Sequence, residues 1–364
     1  MKKILWVVTI PRVGERIWPA MAKMFGDFNP DFHTDPEGLE YNMDCLMIDQ
    51  MSFDMDWYGD KDPREYFYNH YEHYFSNIWS GPGPCSQIDP VPRLSKLDFK
   101  KYDLIIADDN RVRNGLDYIY SQKRPDAIMI GNSHGNTDKN YVKDGIHRAF
   151  DFCFVFGEGE LLQTGFRTEI LKGGIPSNDK LSQYKDIEKE HILVIVNFLG
   201  NRGCPFKVKF DQRWVDDSGL VDLANGSKIV VKLKARLDEN SKWQKNIDYV
   251  RSLFPEDVNL EVIVDVEDDN ELIAKSELVL SAPSTMAFKA IQLGIPTVLI
   301  KGSGQVGLFE DFPGLVDLDS EQISTELCRQ AENGKEYKFI DHHIEGGTSF
   351  ESTKAYVDEL KKFL

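Results

Sequence analysis

The sequence has no cysteines at CxxC spacing: Cys45, Cys85, Cys153, Cys204 and Cys328 lie far apart. That excludes a disulfide scaffold, argues against a cysteine-based zinc site, and makes a reducing compartment the default. No stretch approaches the ~20 apolar residues a membrane span needs. Met1-Lys2-Lys3 ahead of apolar Ile4–Ile10 imitates a secretory leader. The run is short, Pro11, Arg12, Glu15 and Arg16 break it, and no small-residue cleavage site follows, so a first buried strand of a cytoplasmic protein is expected. Walker A, GxSxG, HExxH and GxGxxG sequences are all missing, as are internal repeats and low-complexity tracts. An excess of basic residues is missing. With 43 Lys+Arg against 60 Asp+Glu, the net charge of −17 weighs against a broad basic footprint for nucleic acid or acidic lipid.

What is present is an ordinary globular composition, 41% hydrophobic and 28% charged over 364 residues, a length that suits two domains. Short, β-branched, non-alternating apolar runs recur at Ile4–Ile10, Tyr102–Ala107, Ala127–Ile130, Phe152–Phe156, Ile192–Phe198, Lys228–Leu233, Leu260–Val264, Leu278–Ser281 and Thr297–Ile300. Such runs fit strands buried on both faces of a parallel sheet. Their alternation with helical stretches predicts α/β architecture. Gly173 to Glu190 is polar and reads as a linker. The expected division is a domain at 1–172, the linker at 173–190, a second domain at 191–348 and a terminal amphipathic helix at 349–364. Thr348-Ser-Phe-Glu351 has the form of a capping box for that helix, and Thr353, Tyr356, Val357, Leu360, Phe363 and Leu364 recur at helical spacing.

Charge is unevenly spread. Between Asp27 and Pro90 there are 14 acids and two bases, −12 of the −17, in a stretch rich in aromatics from Phe53 to Trp79. The segment 27–95 reads as an acidic, aromatic insertion, either an acceptor wall or plain helical packing. Asn201 to Arg251 instead holds 11 bases against seven acids, so an anionic ligand there is compatible with the overall charge.

The strongest chemical signal is Ser281-Ala-Pro-Ser284-Thr285, where a buried strand turns into a helix that Gly294 closes. Free N–H groups and hydroxyls at a helix start hold a phosphate or diphosphate; the same residues also serve as simple N-caps. Lys232 and Arg236 follow the Lys228–Leu233 strand, and Gly200 and Arg202 follow Ile192–Phe198. Ligands of open α/β sheets bind beyond such strand ends, where cations neutralise a diphosphate; a solvated basic turn is the bland alternative. His134, with Asp138 to orient it, follows Ala127–Ile130 and suits general-base work or a hydrogen-bonded turn. Arg12 and Gly14 follow the first strand and are candidates to face a cleft. His342-His343 reads as a surface pair on an extended segment. His70 and His73, with Glu72 nearby, read as packing, so no metal site is expected.

In order, the His-Gly turn at 134–135, the strand leading to Gly157-Glu158 and Gly174-Ile-Pro176-Ser-Asn178-Asp179 resemble the CDP-glycerol glycerophosphotransferases and related capsule transferases. Ser177 stands where those have arginine, and Lys234 where they have a second histidine. More widely the chain resembles GT-B transferases. That implies an α/β, GT-B fold, two Rossmann-like doubly wound domains facing a cleft with a C-terminal helix crossing back. Non-hydrolysing UDP-sugar 2-epimerases share that fold, and Thr9-Ile-Pro11-Arg12 and Leu293-Gly294-Ile-Pro296 are similar to theirs. Many GT-B enzymes place a ribose-gripping Glu near Lys289, which implies a phosphate-facing role for Lys289 here.

The expected function is a metal-independent GT-B glycosyltransferase or glycerophosphotransferase-like enzyme. It would use no cofactor and take a UDP- or CDP-linked donor to an acceptor hydroxyl on a glycan, polymer or modified DNA base. Ser284, Thr285, Lys232, Arg236, Arg202 and Gly200 would hold the diphosphate, His134 would deprotonate the acceptor, and Arg12, Gly14 and Lys289 would line the cleft. The alternatives are a non-hydrolysing UDP-sugar 2-epimerase and a GT-B module that binds nucleotide or glycan without turnover.

Overall fold

The computed structural model describes residues 2–8, 11–24, 33–34, 40–47, 78–80, 94–95, 97–107, 114–133, 150–159, 169–197, 199, 207–233, 240–264, 268–304, 306–333 and 337–364. The chain divides into two units, Met1–Asp179 with His342–Leu364, and Lys180–Asp341.

In the first unit the elements run β1 (Lys2–Val8), α1 (Pro11–Met24), β2 (His33–Thr34), β3 (Glu40–Met47), β4 (Ile78–Ser80), β5 (Leu104–Ala107), α2 (Asn114–Gln122), β6 (Ile128–Asn132), β7 (Phe152–Val155) and β8 (Glu169–Lys172). The sheet order is β2-β3-β1-β5-β6-β7-β8, with β4 also on β3; every pairing is parallel except β2 with β3. β1 sits inside the sheet, and Ile4 to Val8 are each at most 1% exposed. Its two faces serve two cores, Ile4, Trp6 and Val8 on one and Leu5 and Val7 on the other. That explains the unbroken apolar run. Each such side chain contributes roughly 1.5–3 kcal/mol on burial.

The second unit runs β9 (His191–Val196), α3 (Gln212–Asp216), α4 (Leu220–Ala224), β10 (Lys228–Leu233), α5 (Asn240–Arg251), β11 (Leu260–Ile263), α6 (Asp269–Ala274), β12 (Ser276–Ser281), α7 (Thr285–Gln292), β13 (Thr297–Ile300), β14 (Leu315–Val316), α8 (Ser320–Asn333) and α9 (Tyr337–His343), the last crossing into the first unit's closing segment. Its sheet is wholly parallel in the order β11-β10-β9-β12-β13-β14. Strand order reverses between β9 and β12, and such a switch point opens a crevice at the strands' carboxyl ends. Gly294, at φ 69°, ends α7 as expected.

The final helix, α10 (Ser352–Lys361), packs with α1 on the first sheet and buries Tyr356, Val357 and Leu360. The capping box does not form: the N-cap is Glu351, whose side chain makes no cap bond. Asp179 takes that role from a distance, accepting from the N–H groups of Ser352 at 3.0 Å and Thr353 at 2.7 Å. Gly174 has φ 62°, and a Cβ there would strike the Glu345 carbonyl and the Ser352 hydroxyl. The Gly174–Asp179 motif is thus a clamp for the returning chain. His342-His343 ends helix α9 instead of lying extended, and His343 is fully buried, packed where Gly157 and Gly159 leave room.

The segment 27–95 also differs from an insertion, since β2, β3 and β4 are strands of the first sheet. Most of its aromatic stretch, with His70, Glu72 and His73, lies outside the described residues.

Candidate functional site

The switch point of the second sheet brings together the ends of β9, β10, β12 and β13. β12 leaves the core at Ser281, Ala282 N–H bonds back to the Ile195 carbonyl at 3.1 Å, and Pro283 and Ser284 turn the chain into α7. Ser284 is the N-cap residue in extended conformation, with φ −158° and ψ 162°. Its hydroxyl makes no cap bond, and Oγ is closed off from solvent with no hydrogen-bond partner among the described residues. Simple side-chain capping therefore does not account for it. A buried hydroxyl in a native fold normally has a partner, and an anion at the helix start would supply one. Thr285 opens the helix beside it.

Two neighbours shape this turn. Asn197, just past β9, donates from Nδ2 to the Pro283 carbonyl at 3.5 Å. Gly304, past β13, approaches so closely that a Cβ would lie 2.8 Å from the same carbonyl.

The lysines of the site are held by α6. Lys232 lies near the end of β10, level with Ile195 and Ile263, and is 7% exposed. Its ammonium pairs with Asp269 at 3.2 Å. Lys289 lies one helical turn after Thr285 and donates to Asn270 Oδ1 at 2.8 Å. Asp268 caps α6 by accepting from Asn270 N–H at 2.8 Å. Burial alone would raise the Asp268 pKa, but the Tyr184 hydroxyl and the N–H groups of Asn270 and Glu271 outweigh it and hold the carboxyl below its ordinary value. Asp268-Asp269-Asn270 carries an N-cap signature in sequence; Asn197 and Tyr184 carry none.

Of the expected site residues, the structure thus gathers Ser284, Thr285, Lys232 and Lys289 at one edge of the second unit. Gly200, Arg202 and Arg236 lie outside the described residues, as do His134 and Asp138. Arg12 and Gly14 fall in the first turns of α1, following β1; their side chains are outside the description. The described chain reaches Ser133, preceded by Asn132, which is 3% exposed at the end of β6.

No family model matches the sequence, and no curated protein does. Solved structures do match over full length. A putative UDP-N-acetylglucosamine 2-epimerase from Listeria monocytogenes aligns with TM-score 0.64 at 12% identity, covering all of this chain and 96% of that one. The UDP-GlcNAc 2-epimerase of Neisseria meningitidis, solved bound to UDP-GlcNAc, gives 0.59 at 13%, and that of Methanocaldococcus jannaschii gives 0.61 at 11%, each covering both chains fully. The fold is the one these epimerases have.

The expected two-domain Rossmann-like architecture therefore holds. The glycosyltransferase reading does not: among the full-length matches, those whose activity is stated are UDP-GlcNAc 2-epimerases, alongside Anabaena Alr3699/HepE solved with UDP and glucose. Neither the acceptor hydroxyl nor the glycerophosphotransferase resemblance finds support. Among the described residues no helix is long and apolar enough to cross a membrane.

Proposed function

We propose that this protein is a UDP-sugar 2-epimerase that holds its substrate's UDP on the second unit and inverts the sugar at C2. The observation that carries this is the start of α7, with its unused Ser284 hydroxyl, at the switch point of a fold shared with UDP-GlcNAc 2-epimerases. Free N–H groups and the helix dipole favour a diphosphate there, and the Lys232 and Lys289 ammonium groups add positive charge. Gly200, Arg202 and Arg236 follow β9 and β10 in sequence, and we assign them to the same diphosphate.

C2 has no neighbouring carbonyl, so its proton leaves as the C1–O bond to UDP breaks, the C–H electron pair forming a C1=C2 double bond. A proton returning to the opposite face of C2 and UDP returning to C1 complete the inversion. A group titrating near neutrality suits this, and His134, with Asp138, is our candidate. Arg12 and Gly14, after β1, are assigned to the sugar side. No acceptor and no separate cofactor enter this scheme, and cytoplasmic operation belongs to the same proposal.

Incubation with UDP-GlcNAc in D₂O tests it. The expected result is the C2 epimer carrying deuterium at C2, read by NMR, with His134→Ala abolishing exchange and Ser284→Glu weakening UDP binding by about tenfold or more. UDP binding with neither epimer nor exchange would identify a nucleotide-binding module in place of an epimerase.

A further inference from the structure

Beyond the turn that would hold phosphate, a chain of contacts links the nucleotide edge to the segment entering the second unit. The 3-10 helix Pro176–Tyr184 ends at Tyr184, whose hydroxyl donates to Asp268 Oδ2 at 2.5 Å. Asp268 caps α6, and the next two side chains reach elsewhere: Asp269 to Lys232 on β10, Asn270 to Lys289 on α7. Three consecutive side chains at the start of one helix thus engage three different elements.

The far end of α6 is fastened to the same segment. Lys189 Nζ donates to the Ala274 carbonyl at 2.5 Å, and Glu190 N–H donates to the Lys275 carbonyl at 2.7 Å. His191 Nε2 lies 3.1 Å from the Leu272 carbonyl. α6 is six residues long, about 9 Å, and 184–191 is tied to it at both ends.

Packing alone would be served by the far-end ties. The Tyr184–Asp268 bond is different in placement, because it acts on the residue immediately before Asp269 and Asn270. A phenol donating to a carboxylate is a charge-assisted bond, stronger than a neutral one. Asn270 is 2% exposed, so a shift at the start of α6 is passed to Lys289 with little slack.

We infer that Tyr184 is a positioning residue for the nucleotide: through Asp268 it sets the start of α6, and so the Lys232 and Lys289 ammonium groups. The inference rests on the reading of that edge as the UDP site. Coupling of this kind is reciprocal, so UDP binding tightens the segment at Tyr184.

Calorimetric titration with UDP, on the full chain, tests this with Tyr184→Phe, Asn270→Ala and the double variant. Tyr184→Phe is expected to weaken UDP binding roughly three- to tenfold, and by a smaller factor once Asn270 is already Ala, the remainder running through Asp269 and Lys232. Asp268→Asn, which retains a good N-cap, is expected to weaken UDP in the same direction. Amide exchange across 180–190 should slow on adding UDP to the wild type and fail to slow in Tyr184→Phe, a response that a purely structural tyrosine would not show.

Unchanged UDP affinity in Tyr184→Phe, or an equal loss in both backgrounds, overturns the inference and leaves the UDP site standing. Wild-type protein that binds no UDP overturns the proposed function and this inference with it.

Discussion

Tyr356 donates its hydroxyl hydrogen to Asn132 Oδ1 at 2.7 Å, although 224 positions separate them. Asn132 in turn donates from Nδ2 to the Ala107 carbonyl at 2.5 Å. The tyrosine ring stacks on Phe154 with centroids 3.9 Å apart. The last helix is thereby pinned to the carboxyl end of β6, directly before the segment that carries His134.

Tyr356→Phe keeps the stacking and strands Asn132 Oδ1. The expected loss is roughly 1–2 kcal/mol, read as a lower urea midpoint. Tyr356→Ala adds a cavity and should cost roughly 3–5 kcal/mol.

Asp179→Ala removes the acceptor for two N–H groups of α10. A loss of about 1–2 kcal/mol is expected, with faster amide exchange at Ser352 and Thr353. Burial pushes the Asp179 carboxyl pKa up despite those bonds. Asp179→Asn keeps one oxygen acceptor but turns a donor nitrogen toward the second N–H, so it should recover only part of that loss.

His191 gives a pH signature. It is 4% exposed, and burial, its largest influence, lowers its pKa, against an opposing contribution from the Leu272 carbonyl. As pH falls below about 6.5, the unfolded chain takes up a proton that the folded imidazole refuses. Stability is then lost until the folded-state pKa is passed. Urea midpoints across about pH 7.5 to 5 should fall in the wild type and flatten in His191→Gln.

Asp269→Ala leaves the Lys232 ammonium buried without its counter-charge. Roughly 2–3 kcal/mol should be lost, somewhat less than for breaking a fully buried pair, because Asp269 itself is partly exposed. Adding Lys232→Met should recover most of it, whereas UDP affinity should fall further. The two readouts, denaturation and calorimetry, then separate stability from binding.

The strands visible in the sequence are those buried on both faces, such as His191–Val196, where Ile192 and Val194 serve one core and Leu193 and Ile195 the other. β3 was hidden because Glu40-Tyr-Asn-Met-Asp-Cys-Leu-Met mixes acids into the run, and a strand's place beside β1 is a tertiary fact. β8, Glu169–Lys172, is too short to show a period. At the site, the Ser284-Thr285 turn was legible because a small hydroxyl pair between strand and helix is a local pattern. Asn270 and Tyr184 were not, since their partners lie 19 and 84 positions away. The activity is not legible in that turn, because a strand-to-helix turn bearing hydroxyls suits enzymes that transfer a group and those that rearrange one alike.

The clamp between Asp179 and α10 bears on the order in which the protein is made. Tyr356, Val357 and Leu360 share a core with Ile4 and Trp6, so the first unit has no complete cover until the final helix has left the ribosome. The second unit's main core lies between Ile192 and Leu327 and is able to close earlier. The second unit is therefore expected to fold ahead of the first, against the usual N-terminal-first sequence. A chain cut before Ser352 should retain a folded segment around Ser284 while its N-terminal sheet stays open to chaperones and proteases.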